Sequence, residues 1–146
     1  MPIFMPTGSD GTTWLKSVPD VSNVYLPVRA LTVGDDPNSE INVLVERYKA
    51  RFGEVPNTAY VFSGYVLVQM WAAAVNRAGT TDPDKVANAL EHLKDQPTLL
   101  GPVSFSPQMH IQNQGRFLML GIDHGKYENF GYVESPAVPA NVLFAP

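Results

Sequence analysis

The turn Thr7-Gly-Ser-Asp-Gly-Thr-Thr13 gathers four hydroxyls and one carboxylate into seven residues, the densest polar cluster of the chain. It follows a short apolar run, Pro2-Ile-Phe-Met-Pro6, which reads as a buried strand end. Backbone amides and hydroxyls just beyond a strand suit an anion. A phosphate-handling enzyme would also need further phosphate loops and a catalytic acid, and the sequence offers neither. The second candidate group is Tyr60, Ser63 and Tyr65, at the head of a long helical pattern.

Other chemistry is excluded by residue type or spacing. His92, His110 and His124 fall on a polar helix face, in a loop and in a hairpin turn, with no metal-ligand spacing among them. There is no Gly-x-Ser-x-Gly elbow for a serine nucleophile. Cysteine is absent, which removes thiol catalysis, thiolate metal sites and disulfides together. No metal and no cofactor is expected. Asp82 and Asp84 sit at a helix start, where carboxylates favour the positive end of the dipole. Plainer roles compete for the candidates as well. Asp10 can cap a helix beginning at Thr12, Tyr65 can be core alongside Val61 and Val68, and Trp14 and Trp71 read as packing residues.

Periodicity supplies the elements that must position these groups. After the turn, Thr12 to Ser17 fits one to two helical turns, and Asn23-Val-Tyr-Leu-Pro-Val28 is a strand with Pro27 at its end or on an edge. Asp36 is the expected N-cap of a helix with Pro37 at its first position. That helix shows Ile41, Leu44, Val45, Tyr48 and Phe52 on one face and stops at Gly53. A second helix spans about residues 58 to 78, with Val61, Tyr65, Val68, Trp71, Ala72 and Val75 as its apolar face. A third starts at Thr81-Asp-Pro83 and turns Val86, Ala89, Leu90 and Leu93 inward. Strands are expected at 101–105, 116–122 and 126–133, the last two joined by the Asp123-His-Gly125 hairpin. Residues 134–146 read as a Pro-rich extended tail. Three successive helices cannot all be crossovers between neighbouring strands of one small sheet, so the pattern implies part of a larger α/β body.

Composition narrows the partners. The chain has 146 residues, 45% hydrophobic and 16% charged, with 13 prolines and a net charge of −4. Without a Lys/Arg cluster, nucleic acid is excluded as a partner. No run reaches the roughly 18 apolar residues of a membrane span. The first residues also lack a signal-peptide pattern, so export would depend on sequence upstream of Met1.

Several stations along the chain resemble, in order and spacing, the late part of type I periplasmic solute-binding proteins of ABC transporters, in the leucine/isoleucine/valine-binding branch. They are Asn23-Val-Tyr25, Tyr48-Lys-Ala-Arg-Phe-Gly53, Tyr65-Val-Leu67, Ala78-Gly-Thr-Thr-Asp-Pro83, Gly101-Pro-Val-Ser-Phe105 and Asp123-His-Gly-Lys126. The resemblance spans residues 2 to 133. It implies an α/β, Rossmann-like two-lobed fold of which residues 1–133 are the C-terminal portion, crossing the inter-lobe hinge. It also implies a ligand-side loop at Thr7, Ser9 and Asp10, with Asp10 placed about two residues late for an ammonium partner, and a cleft-facing Tyr65. The residues that grip a ligand carboxylate in this family belong to earlier sequence.

The implied function is non-catalytic capture of a small polar, aromatic or branched-chain solute in the periplasm and delivery to a membrane permease. Two alternatives stay open: a ligand-sensing or receptor domain of the same fold, and a small enzyme acting on a phosphorylated or acyl substrate. A chain carrying one side of a cleft is also expected to expose apolar surface and to self-associate.

Overall fold

A computed structural model describes residues 1–11, 13–112 and 114–143. In chain order these form β1 (Ile3–Phe4), 3-10 turns at Thr7–Ser9 and Trp14–Ser17, β2 (Val24–Val28), α1 (Ser39–Phe52), α2 (Tyr60–Ala78), α3 (Pro83–Glu91), β3 (Gly115–Asp123), β4 (Lys126–Ser135) and α4 (Ala140–Leu143). The result is a mixed α/β fold with one four-stranded sheet in the order β1-β2-β3-β4. β1 runs parallel to β2, and β2 runs antiparallel to β3. Among the described residues no helix is long and apolar enough to cross a membrane.

The chain divides into two compact units, Met1–Phe62 with Arg116–Val133, and Ser63–Gly115 with Glu134–Pro146. It therefore passes from one unit to the other after Phe62, after Gly115 and after Val133.

In the first unit, strand alternation builds the core. Val24, Leu26 and Val28 of β2 lie opposite Ile122, Leu120 and Leu118 of β3. All six are buried and join Leu15 and Leu31 in one cluster, as one face of a pleated sheet must when it packs inward. The other face carries a row of rings. Phe4 lies 5.6 Å from Tyr25, and Tyr25 stacks on Phe130 at 6.1 Å. Gly121 makes room for that row, since a Cβ there would meet the Phe130 ring at 2.6 Å.

α1 begins two residues later than the expected Asp36 cap. Its N-cap is Asn38, whose side chain accepts from the Glu40 N–H at 3.1 Å. Asp36 is drawn inward, only 4% exposed. Its carboxylate accepts the N–H groups of Leu31 and Asn38, each at 2.8 Å, and the Tyr132 hydroxyl at 2.6 Å. A buried carboxylate must be fully supplied with donors, and that tertiary demand displaces the local cap. The helix buries Ile41 and Val45, leaves Phe52 exposed, and ends as expected at Gly53 in the left-handed conformation.

In the second unit, α3 is capped by Asp82, whose side chain accepts from the Lys85 N–H, with Pro83 in the first turn. Val86 and Ala89 pack on Ala74 of α2. The face expected to be buried on α2 is the wrong one. Val66 and Ala74 are buried, and Phe62 in the first turn is fully so, whereas Tyr65, Val68 and Trp71 are 42%, 59% and 51% exposed. α2 is apolar around most of its circumference, so periodicity alone gave no single inward direction.

Two further expectations change. Gly101–Phe105 forms no strand; Val103 makes one antiparallel bridge to Gln96 while Leu99, Leu100 and Val103 are buried. The tail is not wholly extended, since α4 adds one helical turn at Ala140–Leu143. The helical turn expected from Thr12 appears as the 3-10 turn Trp14–Ser17, Thr12 itself lying outside the described residues, as do 144–146. The β3–β4 hairpin turns through His124 and Gly125, both at positive φ.

Candidate functional site

The Thr7–Ser9 turn follows the carboxyl end of β1, which places Thr7, Ser9 and Asp10 on one half-buried bend. Asp10 holds that bend to the start of α2. Its Oδ2 accepts from the Ala59 N–H at 2.7 Å and its Oδ1 accepts from the Thr58 hydroxyl at 2.5 Å. A carboxylate at this point gives a helix-end N–H its acceptor and favours the positive end of the helix dipole. Gly11 follows with φ +104, and a Cβ there would meet the Asn57 carbonyl oxygen at 2.6 Å. Only glycine permits so close an approach. The Tyr127 hydroxyl donates to the Gly11 carbonyl at 3.1 Å and Trp14 Nε1 donates to the Ser9 carbonyl at 3.0 Å. Burial, and then the charge of Asp10, push the Tyr127 phenol above its ordinary pKa.

The bend thus holds a carboxylate whose two oxygens both have donors. The cavity beside it, bounded by Asp10, Gly11, Leu26, Leu31 and Tyr127, encloses about 20 Å³. That is room for one water, whereas small-molecule pockets span several hundred Å³. The hydroxyls of Thr7 and Ser9 make no hydrogen bond among the described residues.

Tyr65 belongs to the second unit, exposed on α2. A groove of about 610 Å³ opens on that unit between α2 and α3, lined by Leu67, Val68, Met70, Trp71, Leu90 and Phe105. His110 Nε2 lies 3.0 Å from Glu91 Oε1 at its edge. The sequence reading missed this groove because it assigned Val68 and Trp71 to the core. His92 caps α3, its Nδ1 lying 2.7 Å from the Asn88 carbonyl. Among the described residues no three His, Cys, Asp or Glu side chains stand together as a metal site.

A family model described as periplasmic binding protein matches residues 1–125. The chain belongs to the periplasmic binding protein family. Solved structures agree on the fold. This periplasmic binding protein chain superposes with TM-score 0.67 on a leucine-binding protein from Thermotoga maritima MSB8, at 16% identity over 90% of its own length. It matches a solute-binding protein of an ABC transporter from R. palustris, solved in complex with benzoate, with the same TM-score at 18% identity over 94%. A fatty acid ABC transporter substrate-binding protein from Thermomonospora curvata gives 0.67 at 17% over 95%. The chain spans 37%, 37% and 39% of those three proteins, respectively. A comparison with curated protein sequences finds no match. These likenesses make the α/β architecture that of a type I periplasmic binding protein.

Proposed function

We propose that this chain contributes one side of the ligand cleft of a non-catalytic solute-binding protein serving ABC-transporter uptake in the periplasm. The observation that carries the reading is the family match over residues 1–125, and the half-buried Thr7 and Ser9 of the bend beyond β1 agree with it. In open α/β sheets ligands gather beyond the carboxyl ends of the strands. The relatives' ligands, a branched-chain amino acid, an aromatic acid and a fatty acid, favour a small apolar or aromatic carboxylic acid. It would be released to a membrane permease after hinge opening.

Within this reading Thr7 and Ser9 touch the solute. Asp10, with a donor on each oxygen, fixes the bend that presents them and adds an acceptor edge for a ligand donor. Tyr65 is kept as a candidate contact on the family resemblance alone.

Chemical-shift mapping of the labelled chain against leucine, benzoate and octanoate tests this. One of the three is expected to move the amides of residues 6–11, with a dissociation constant on the order of millimolar because a partial cleft makes few contacts. Thr7→Ala with Ser9→Ala should abolish the shifts. Amides of this bend that stay still for all three ligands would sink the reading.

A further inference from the structure

Arg29 is the first residue past the end of β2, and β1 runs parallel to β2. It therefore stands at the same sheet edge as the bend that follows β1. Val28 and Leu118 pair across β2 and β3 and point into the core, so alternation turns Arg29 and Phe117 to the other face. There the guanidinium lies over the Phe117 ring, 5.3 Å from its centroid. Tyr60, next to the Ala59 that Asp10 holds, is near enough to act on that charge. The bend, the start of α2 and Arg29 thus lie near one another in the first unit.

Arg29 is half-buried, and among the described residues it has neither an ion pair nor a hydrogen bond. Burial pulls its pKa below the ordinary value, with Tyr60 working the other way, yet a guanidinium stays protonated. Arg116 of the same unit is better supplied: it lies 4.0 Å from the centroid of the Tyr132 ring, whose hydroxyl donates to the Asp36 carboxylate. Phe117 engages one broad face of Arg29 and leaves the in-plane N–H donors of its edge open. A planar cation held in this way matches a carboxylate through two parallel hydrogen bonds. We infer that Arg29 takes a carboxylate of the solute, with Phe117 fixing the plane of the guanidinium. This rests on the solute reading above and narrows it to a ligand that turns an acid group toward this edge. The grip is this chain's own, separate from any that earlier sequence supplies. An acid gives the half-buried charge a partner and the matching amide does not, so the site discriminates between them.

The experiment follows the Arg29 Nε–H signal of the labelled whole chain alongside the amides of the bend. Leucine, benzoate and octanoate are each set against the corresponding amide. Whichever acid moves the bend should also move the Arg29 signal, and its amide should leave that signal still. Arg29→Gln should weaken binding of that acid about tenfold, and Arg29→Lys, which keeps the charge but loses the fork, should recover only part of it. Arg116→Gln should leave the affinity unchanged. The signal is read on the unaltered chain, so the outcome does not hang on how the variants fold. Bend amides that move while Arg29 stays still overturn the inference and leave the solute reading standing. An amide that shifts Arg29 as far as its acid does the same. Arg29 following the acids while the bend stays still upholds the grip and removes the bend from the site. Silence of every signal sinks both.

Discussion

The carboxylate of Asp10 accepts the backbone N–H of Ala59 at 2.7 Å, tying the bend after β1 to the start of a helix 49 residues later in sequence. Removing that anchor should act on stability before it acts on any ligand. Asp10→Ala is expected to cost about 1–2 kcal/mol, the usual loss of a helix cap, and Asp10→Asn clearly less. Urea melts followed by circular dichroism measure both. A cost below ~0.3 kcal/mol for the alanine variant would show that the contact does not hold the bend.

Tyr132 and Asp36 form a second long-range tie, 96 residues apart in sequence. Burial, the hydrogen bond to Asp36 and the charge of Asp36 raise the Tyr132 phenol well above its ordinary value of 10.0, against a smaller opposing effect of Arg116. The folded state keeps this proton when the unfolded chain begins to lose it. Stability from this pair is therefore complete below about pH 10 and declines as pH rises beyond it. Tyr132→Phe should cost about 1–3 kcal/mol at neutral pH, because the buried Asp36 loses a donor, and should flatten the alkaline decline. A melt series from pH 8 to 11.5 on both proteins decides it.

Gly125 and Gly79 both sit at positive φ but in different surroundings. A Cβ on Gly125 would run into the Pro19 carbonyl oxygen, whereas one on Gly79 would meet nothing within 4 Å. Gly79→Ala should cost about 1 kcal/mol, the conformational penalty alone. Gly125→Ala should cost at least twice that, since backbone atoms must move. Equal costs would mean that the hairpin turn adjusts freely.

The orientation of α2 can be read from two aromatic truncations. Phe62 is fully buried and Phe62→Ala should cost about 3–5 kcal/mol. Tyr65 is 42% exposed and Tyr65→Ala should stay within about 0.5 kcal/mol at low protein concentration. The reverse order of costs would restore the inward face that simple periodicity suggested.

Particular residues explain what could be read from sequence and what could not. Asp82 with Pro83, Gly53, and the Asp123-His-Gly125 hairpin were legible because caps and turns are local chemistry: the residue that solves the problem sits within a few positions of it. Order and spacing of those local signals were also enough to point to the family. Asp36 was misread because its donors come from Leu31 and Tyr132, and nothing nearby in sequence announces a tyrosine 96 positions away. Asp10 failed in the same manner: its partners are Thr58 and Ala59 rather than the helix cap expected at Thr12. α2 defeated periodicity by being apolar on nearly every side, and 101–105 has strand composition but pairs only through Val103 with Gln96.

The three passages between the units leave their mark on how the molecule comes into being. Because Val24 must wait for Ile122 before the sheet closes, a ribosome has already released most of the second unit while the first still lacks half its wall. Assembly cannot proceed from front to back. Contacts this distant in sequence slow the final step, and until β3 arrives the apolar edge of β2 lacks its antiparallel neighbour.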